Sequence, residues 1–321
     1  MDEQCYDVVI IGAAAAGSAA GVYCARRNLN TIIVSMDIGG EVALSGEVEN
    51  WPGIINITGF ELAQNFNKHV LSYNVPIDQG FKVEAIKQEK NYHIVEAKNL
   101  SGEERSYKTK AVIIASGIHP RELGLPGEKE LKGRGVTYCT VCDGPLFKGK
   151  TTITIGAGSA ALESALMMGE IAEKVYLVTK YGPEDGKDGF PKGEDVLIEK
   201  VKANAKIEII HNAITTKING EQKVAGITYK DKKTDAESTI EADGVMVHIG
   251  AIPNSDYIEC ASKNAAGEVE VDMLCKTSCT GIFAAGDVTN IPYKQISISA
   301  GQGATAALSA IDYLNRWEEQ K

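Results

Sequence analysis

The chain reads as α/β, built from two three-layer sheet-and-helix domains, on three observations. A β-branched run, Tyr6-Asp7-Val8-Val9-Ile10-Ile11, meets a glycine turn and then a stretch of small residues, and the same order returns at Thr151-Thr152-Ile153-Thr154-Ile155. A length of 321 residues is enough for two hydrophobic cores. Charged residues at 24% against apolar residues at 44% match a globular chain that can fill both.

In the first unit, Ala13 to Arg27 is rich in small helix-compatible residues and Thr31 to Val34 is the next strand. A strand–helix–strand unit of this length is Rossmann-like and suits a dinucleotide. Its turn, Gly12-Ala13-Ala14-Ala15-Ala16-Gly17, keeps the outer glycines of the G-x-G-x-x-G fingerprint and places Ala14 in the middle. A methyl then faces the pyrophosphate. Alanine is the smallest replacement, so the helix start can still receive phosphate, with less room for close approach. Val34-Ser35-Met36 offers no carboxylate to a ribose, although Asp37 follows directly.

Between the two units stands Cys139-Thr140-Val141-Cys142, with Asp143 next. Thiols separated by two residues can close a small disulfide ring, and this spacing often lowers one thiol pKa. Asp143 can shuttle the proton, while Asp143-Gly144 is also an ordinary turn signal. The alternative is half of a zinc site completed by Cys275 and Cys279. That second pair has three intervening residues, lies far along the chain and has no histidine nearby, so no metal is expected.

The second unit turns through Gly156-Ala157-Gly158-Ser159-Ala160-Ala161, an intact G-x-G-x-x-A, into a helix carrying Glu163. Lys174 to Val178 is its next strand. A carboxylate after that strand selects NAD and basic residues select NADP, but Thr179-Lys180-Tyr181 is neither, which leaves NADPH and NADH both open. Gly182 to Asp195 reads as a loop containing Lys187 and Lys192. Farther on, Gly281-Ile282-Phe283-Ala284-Ala285-Gly286-Asp287 reads as a strand ending at a glycine and a carboxylate. Ser299-Ala300-Gly301-Gln302-Gly303 then opens an Ala-rich helix.

A net charge of −10 argues against nucleic acid, whose binding is dominated by clustered Lys and Arg. The seven cysteines are an odd number scattered along a long chain, unlike a secreted disulfide framework. No leader and no membrane-spanning run is read, so the expected setting is a reducing cytoplasm. Cys5, Cys24, Cys260, Cys275 and Cys279 read as small apolar fillers or incidental thiols. His119, His211 and His248 read as structural. Trp51 divides evenly between cofactor or hinge contact and plain packing.

Several segments together carry a resemblance. Gly39-Gly40-Glu41, Glu49-Asn50-Trp51-Pro52-Gly53, Ala115-Ser116-Gly117, Gly133-Arg134-Gly135-Val136, the Cys139–Gly144 run, Gly250-Ala251-Ile252-Pro253-Asn254 and Gly281–Asp287 occur in order over essentially the whole chain. The chain resembles the low-molecular-weight thioredoxin reductases, and also the reductase core of the alkyl hydroperoxide reductase flavoprotein. Gly144-Pro145-Leu146-Phe147-Lys148-Gly149-Lys150 and Ile291-Pro292-Tyr293-Lys294-Gln295 lie closer to the second branch. That flavoprotein carries an extra N-terminal disulfide-relay module, and its absence here favours a separate thioredoxin-like partner.

The resemblance implies that the second domain is inserted in the first. Residues 1–117 and 249–321 would bind FAD, and 118–248 would form the NAD(P)-binding-like domain that carries the redox disulfide. It implies an FAD site made by Gly12, Ala14, Ala15, Ala16, Gly17, Gly40, Glu41, Asn50, Ala115, Gly117, Gly286, Asp287, Lys294, Gln295 and Ile296. Asp287 would face the ribityl chain, Asn50 and Gln295 the flavin ring, and the backbone from Gly286 to Val288 the phosphates. Gly156, Gly158, Ser159, Ala160, Glu163 and Lys180 would hold the nicotinamide nucleotide. Cys142 would sit nearer the flavin, Cys139 would attack the partner disulfide and Asp143 would manage the proton. A homodimer is implied as well.

Two departures stand out. Relatives that use NADPH follow the second glycine unit with a His-Arg-Arg run and a later Arg; here Lys192 is the nearest equivalent of that later residue, among Glu184, Asp185 and Asp188. Glu41 stands where the family commonly has Gln. Reduced ferredoxin is therefore an alternative donor, a peroxiredoxin- or glutaredoxin-like protein an alternative partner, and a nucleotide-binding or zinc-stabilised sensor the non-enzyme alternative.

Overall fold

The computed structural model describes residues 5–45, 47–48 and 50–319, with the side chains of Glu47 and Cys142 outside that description. The chain divides into one unit of Met1–His119 with Ile252–Lys321 and a second unit, Pro120–Ala251, inserted in it.

The first unit opens with β1 (Cys5–Ala13), α1 (Ala15–Ala25), β2 (Thr31–Ile38), the short α2 (Gly40–Ala43) and the pair β3 (Glu47–Val48) and β4 (Ile57–Thr58). There follow α3 (Gly59–Ser72), β5 (Ile77–Gln79), β6 (Phe81–Glu89), β7 (Tyr92–Asn99) and β8 (Glu104–Ile114). After β9 (Ile118–Pro120), the second unit runs through β10 (Val136–Thr137), α4 (Thr140–Asp143), β11 (Thr151–Ile155), α5 (Ser159–Ile171) and β12 (Lys174–Val178). It continues with α6 (Asp195–Ala203), β13 (Ile207–Ile210), β14 (Ala213–Gly220), β15 (Val224–Asp231), β16 (Glu237–Glu241) and β17 (Gly244–Val247). The chain returns along β18 (Ala251–Pro253), which pairs with β9, and completes the first unit with β19 (Ile282–Ala284) and α7 (Ile296–Leu314).

In the first unit β5, β2, β1, β8 and β19 lie parallel in that order. The earlier half of β8 leaves this register to pair antiparallel with β7, which pairs with β6. One long strand therefore joins the parallel sheet to a three-stranded meander. The period-2 alternation of β1 sends Val8 and Ile10 into the core shared with α1 and α7, and Val9 and Ile11 into the core under the meander. All four are at most 4% exposed, which is why this strand reads as a continuous apolar run.

The second unit repeats the plan. β10, β17, β11, β12 and β13 are parallel neighbours, and β14, β15 and β16 form an antiparallel meander. Leu162, Met168 and Ile198 cover one face with Leu177, while Ile153 and Val245 meet Ile218 and Ile227 on the other. Both units are thus Rossmann-like and three-layered, as expected from the two strand–turn–helix signals.

Two boundaries differ from the sequence reading. β2 runs to Ile38 rather than stopping at Val34, because Ser35 Oγ accepts the Ala13 amide at 3.2 Å and the Gly39 amide donates to Ala13 O at 3.1 Å. α7 starts at Ile296, so Ser299–Gly303 lie within its first turns instead of opening it.

Candidate functional site

β1 reaches Gly12 at φ +109°, where a Cβ would lie 2.3 Å from Ala115 O. At Gly17 a Cβ would lie 1.8 Å from Gly12 O, so the start of α1 rests directly on the strand end. Ala14, the N-cap, is extended and provides no side-chain acceptor for the first amides of α1. Residues 12 to 16 of this turn line a cavity of about 850 Å³. Gly12, Ala14, Ala15, Ala16, Gly40, Glu41, Ala115, Gly117, Gly286, Asp287, Lys294 and Ile296 all line it. Gly17 lies beneath the wall. Asn50 and Gln295 are outside the lining but meet each other, Asn50 Nδ2 donating to Gln295 Oε1 at 3.2 Å.

Asp287 accepts a hydrogen bond from Ser299 Oγ at 2.9 Å. Burial raises its carboxyl above the ordinary range, against the opposing pull of Ser299 and Lys294. Lys294 is itself held by Glu268 at 2.8 Å and by Thr289 O at 2.5 Å. Burial pushes Glu268 up, but Lys294 and Asn264 outweigh it and leave this carboxylate below its usual value. The Gly286 amide, expected near phosphate, already donates to Gln302 Oε1 at 2.8 Å. What Gly286 supplies is room, since a Cβ there would sit 3.0 Å from Ala16 Cβ.

Sequence reasoning missed other parts of the wall: Phe81 to Glu84 on β6, Ser35, Tyr257 and His119, whose Nδ1 lies 2.6 Å from Asn254 Oδ1. β6 reads only as an alternating strand, and which of its residues meet a cavity depends on pairing with distant β7. The donor set fits FAD: helix-start amides suit a pyrophosphate, Asp287 suits a polyol, and the volume lies in the range of cofactor pockets.

In the second unit a Cβ on Gly156 would meet His248 O at 2.2 Å, whereas one on Gly158 would find only Lys192, at 3.7 Å. Gly158 forms a parallel β-bridge with Lys192, and the Glu194 amide donates to Ser159 Oγ at 3.2 Å. Phe190 is fully buried in the α5 core, and Thr179 Oγ1 donates to Gly189 O at 3.0 Å. The segment read as a loop over 182–195 is therefore packed across the glycine turn that a nucleotide would use. Ala160, Glu163 and Lys180 are exposed, the Lys180 ammonium lying 5.4 Å from the Tyr181 ring centre.

Cys139 is disulfide-bonded. Its amide donates to Thr137 Oγ1 at 3.1 Å, and the Asp143 amide donates to Cys139 O at 3.1 Å, closing the single turn of α4. The backbone of Cys142 belongs to that turn, and its side chain lies outside the described residues. Just before it, the Tyr138 hydroxyl donates to Glu128 Oε1 at 2.8 Å. Glu128 is fully buried and also accepts the amides of Leu123, Gly124 and Leu125 at 2.8, 2.6 and 3.3 Å. The turn is thus anchored from the chain preceding it.

Beneath the turn, Thr140 Oγ1 lies 2.8 Å from His248 Nε2 and 2.6 Å from Ser164 Oγ. Burial lowers the His248 pKa to about 4, so the imidazole is neutral at pH 7. The folded pKa lies below the ordinary 6.5, so the unfolded chain binds the extra proton. Stability should fall as pH drops from about 6.5 to about 4, by roughly 3 kcal/mol in all. In thermal melts over this window, His248→Gln should lose less of its midpoint than the parent; parallel curves would count against the assignment.

Among the other cysteines, Cys24 and Cys275 are buried fillers, at 0% and 3% exposure. The Cys275 thiol is directed at Gln302 O rather than toward Cys279. Among the described residues no cluster of three metal-ligand side chains occurs, and no helix is long and apolar enough to cross a membrane. Trp51 packs edge-on against Phe66 at 5.2 Å.

Residues 6–307 match the model of the pyridine nucleotide-disulphide oxidoreductase family. The chain is 37% identical over 316 residues to an alkyl hydroperoxide reductase subunit of Pseudomonas putida, covering 98% of this chain but 59% of that protein. The chain thus spans well under two thirds of the first such relatives. It is 36% identical to thioredoxin reductase of Bacillus subtilis, covering 99% and 98% of the two chains. The crystal structure of Lactococcus lactis thioredoxin reductase superposes with a TM-score of 0.78 at 30% identity, covering 97% of this chain and all of that one. These likenesses agree with the motif-level resemblance. The chain belongs to the pyridine nucleotide-disulphide oxidoreductase family.

Proposed function

We propose that this chain is an FAD-dependent disulfide reductase that passes electrons to the Cys139–Cys142 pair and on to a thioredoxin-like protein. The observation that carries the reading is the disulfide-bonded Cys139 on its anchored helical turn, in a chain whose other unit presents a dinucleotide-sized cavity. In this reading residues 1–117 and 249–321 hold FAD, and 118–248 carry the nucleotide-binding-like fold and the redox pair. FAD supplies two-electron transfer, chemistry that no side chain provides. The first amides of α1 take the pyrophosphate, Asp287 accepts a ribityl hydroxyl, and the Glu268–Lys294 pair stiffens the rim. Asp143 holds or releases the proton of the thiol pair. A homodimer in the cytoplasm belongs to the same reading. The similarity to the alkyl hydroperoxide reductase protein supports a peroxiredoxin-linked partner as the alternative acceptor.

NAD(P)H is the first donor to test. The packing of Lys192 and Glu194 on the second glycine turn favours a second reading, in which reduced ferredoxin serves. If a nucleotide must first displace this segment, its apparent affinity falls by the fraction of time the turn is open. Anaerobic titration with NADPH and then NADH should bleach the flavin sluggishly. A Phe190→Ala variant, which unseats the segment from the core packed on α5, should respond at least about tenfold better. Prompt bleaching of the parent would remove the obstruction from the account. A flavin reduced only by dithionite and ferredoxin, in parent and variant alike, would establish the second reading.

A further inference from the structure

Between the two cysteines of the proposed redox pair, Thr140 is buried, with 5% exposure. Its hydroxyl lies 2.6 Å from Ser164 Oγ on α5 and 2.8 Å from Nε2 of His248, the residue that follows β17. Ser164 Oγ lies 3.5 Å from Thr154 Oγ1 on β11, at the edge of hydrogen-bond range, and both are buried. A hydroxyl carries one proton and two lone pairs, so Thr140 can donate to one of its two close neighbours while accepting from the other. Its methyl is packed as well: a Cβ on Gly144 would meet Met168 Sδ at 3.1 Å and Thr140 Cγ2 at 3.6 Å. Valine would fill the same space without needing partners, so packing alone does not account for a hydroxyl here. His248 is fixed by its own amide, which donates to Ile155 O at 2.8 Å. Burial keeps its ring neutral at pH 7, so it acts on the turn by position and not by charge.

We propose that His248 and Ser164 are positioning residues for the Cys139–Cys142 pair, acting through the Thr140 hydroxyl to set its reduction potential. The inference rests on the reading that this pair carries the electrons. While the disulfide is closed, its small ring admits one geometry of the turn, and that form keeps whatever the hydroxyl network contributes. When two electrons break the S–S bond and each sulfur takes a proton, the turn is free to relax. What then holds it is the network, together with the Asp143 amide donating to Cys139 O. Losing the network therefore costs the disulfide form its full contribution and the dithiol form only part of it. The equilibrium moves toward the dithiol, and the potential rises. A network that merely stabilised the unit would weaken both forms alike and leave the potential where it was. A buried hydrogen bond of ordinary strength corresponds to about tenfold in this equilibrium, or about 30 mV for two electrons.

The test equilibrates the purified FAD-containing protein anaerobically with glutathione buffers, then quenches it with acid, alkylates it and weighs tryptic peptide 135–148, which holds both cysteines. Two glutathiones become one glutathione disulfide for each pair reduced. Thr140→Val should move the midpoint about tenfold toward the dithiol, and His248→Leu should move it in the same direction. Thr140→Ser, which keeps the hydroxyl, should stay with the parent. Thr140→Val combined with His248→Leu should shift no further than Thr140→Val alone, because both act through one atom. Midpoints equal to the parent's in Thr140→Val and His248→Leu overturn the inference. So does a Thr140→Ser midpoint that follows the valine variant, or additive shifts in the double variant. A parent whose peptide never exchanges two thiols with the buffer overturns the electron-carrying reading, and the inference with it.

Discussion

Cys139→Ser is expected to stop reduction of a thioredoxin-like disulfide, lowering kcat by at least about 10³-fold, while the flavin still accepts electrons from dithionite. Serine is nearly isosteric, and apart from the disulfide itself the turn is held through the backbone of Cys139 and the side chain of Thr140. The turn should therefore survive, with the thermal midpoint little changed. What is lost is a thiolate able to attack a partner disulfide, because a serine hydroxyl is barely ionised near neutral pH and forms no disulfide. Asp143→Asn should be milder, about 10²-fold, since it removes a proton carrier and leaves both thiols in place. Substantial turnover in the serine variant would mean that electrons leave the flavin by another route, and would sink the proposed path.

How much of this was legible beforehand depended on whether a signal was local. β1 announced itself because a strand buried on both faces is apolar along its length, and β11 by its unbroken β-branched run. The glycines at 12, 17 and 156 were legible for a related reason: each position tolerates no Cβ, so its identity is dictated by the neighbouring backbone. The extension of β2 was hidden, because Ser35 to Ile38 joins the sheet through a side-chain contact with Ala13 and has no strand-like composition of its own. The segment over 182–195 looked like an open loop by its glycines and prolines, yet Phe190 seats it in the α5 core. His248 gave no motif; its place under Thr140 follows from β17 lying beside β11, a pairing of residues about ninety positions apart.

The most severe effect on the fold is expected from Gly17→Ala. A methyl there would stand 1.8 Å from Gly12 O, within the closest contact between α1 and β1, and the obstacle is backbone that cannot swing aside. Relief requires lifting the start of α1 off the strand, which opens the core around Ile10, whose Cγ2 lies 3.4 Å from the same point, and displaces the amides that line the large cavity. The strain should exceed the usual 1–3 kcal/mol of an overpacked core, a large share of a typical stability of about 5–15 kcal/mol. The variant should accumulate poorly and carry little FAD, read as the ratio of flavin to protein absorbance and as a lowered thermal midpoint. Gly158→Ala is the matched control. It occupies the middle position of the second glycine turn, as Ala14 does in the first, and its methyl would find nothing nearer than Lys192 at 3.7 Å, so stability should change by less than about 0.5 kcal/mol. If Gly17→Ala instead purified with a full complement of flavin and an unshifted midpoint, contact between helix and strand would not be what makes the first turn require glycine.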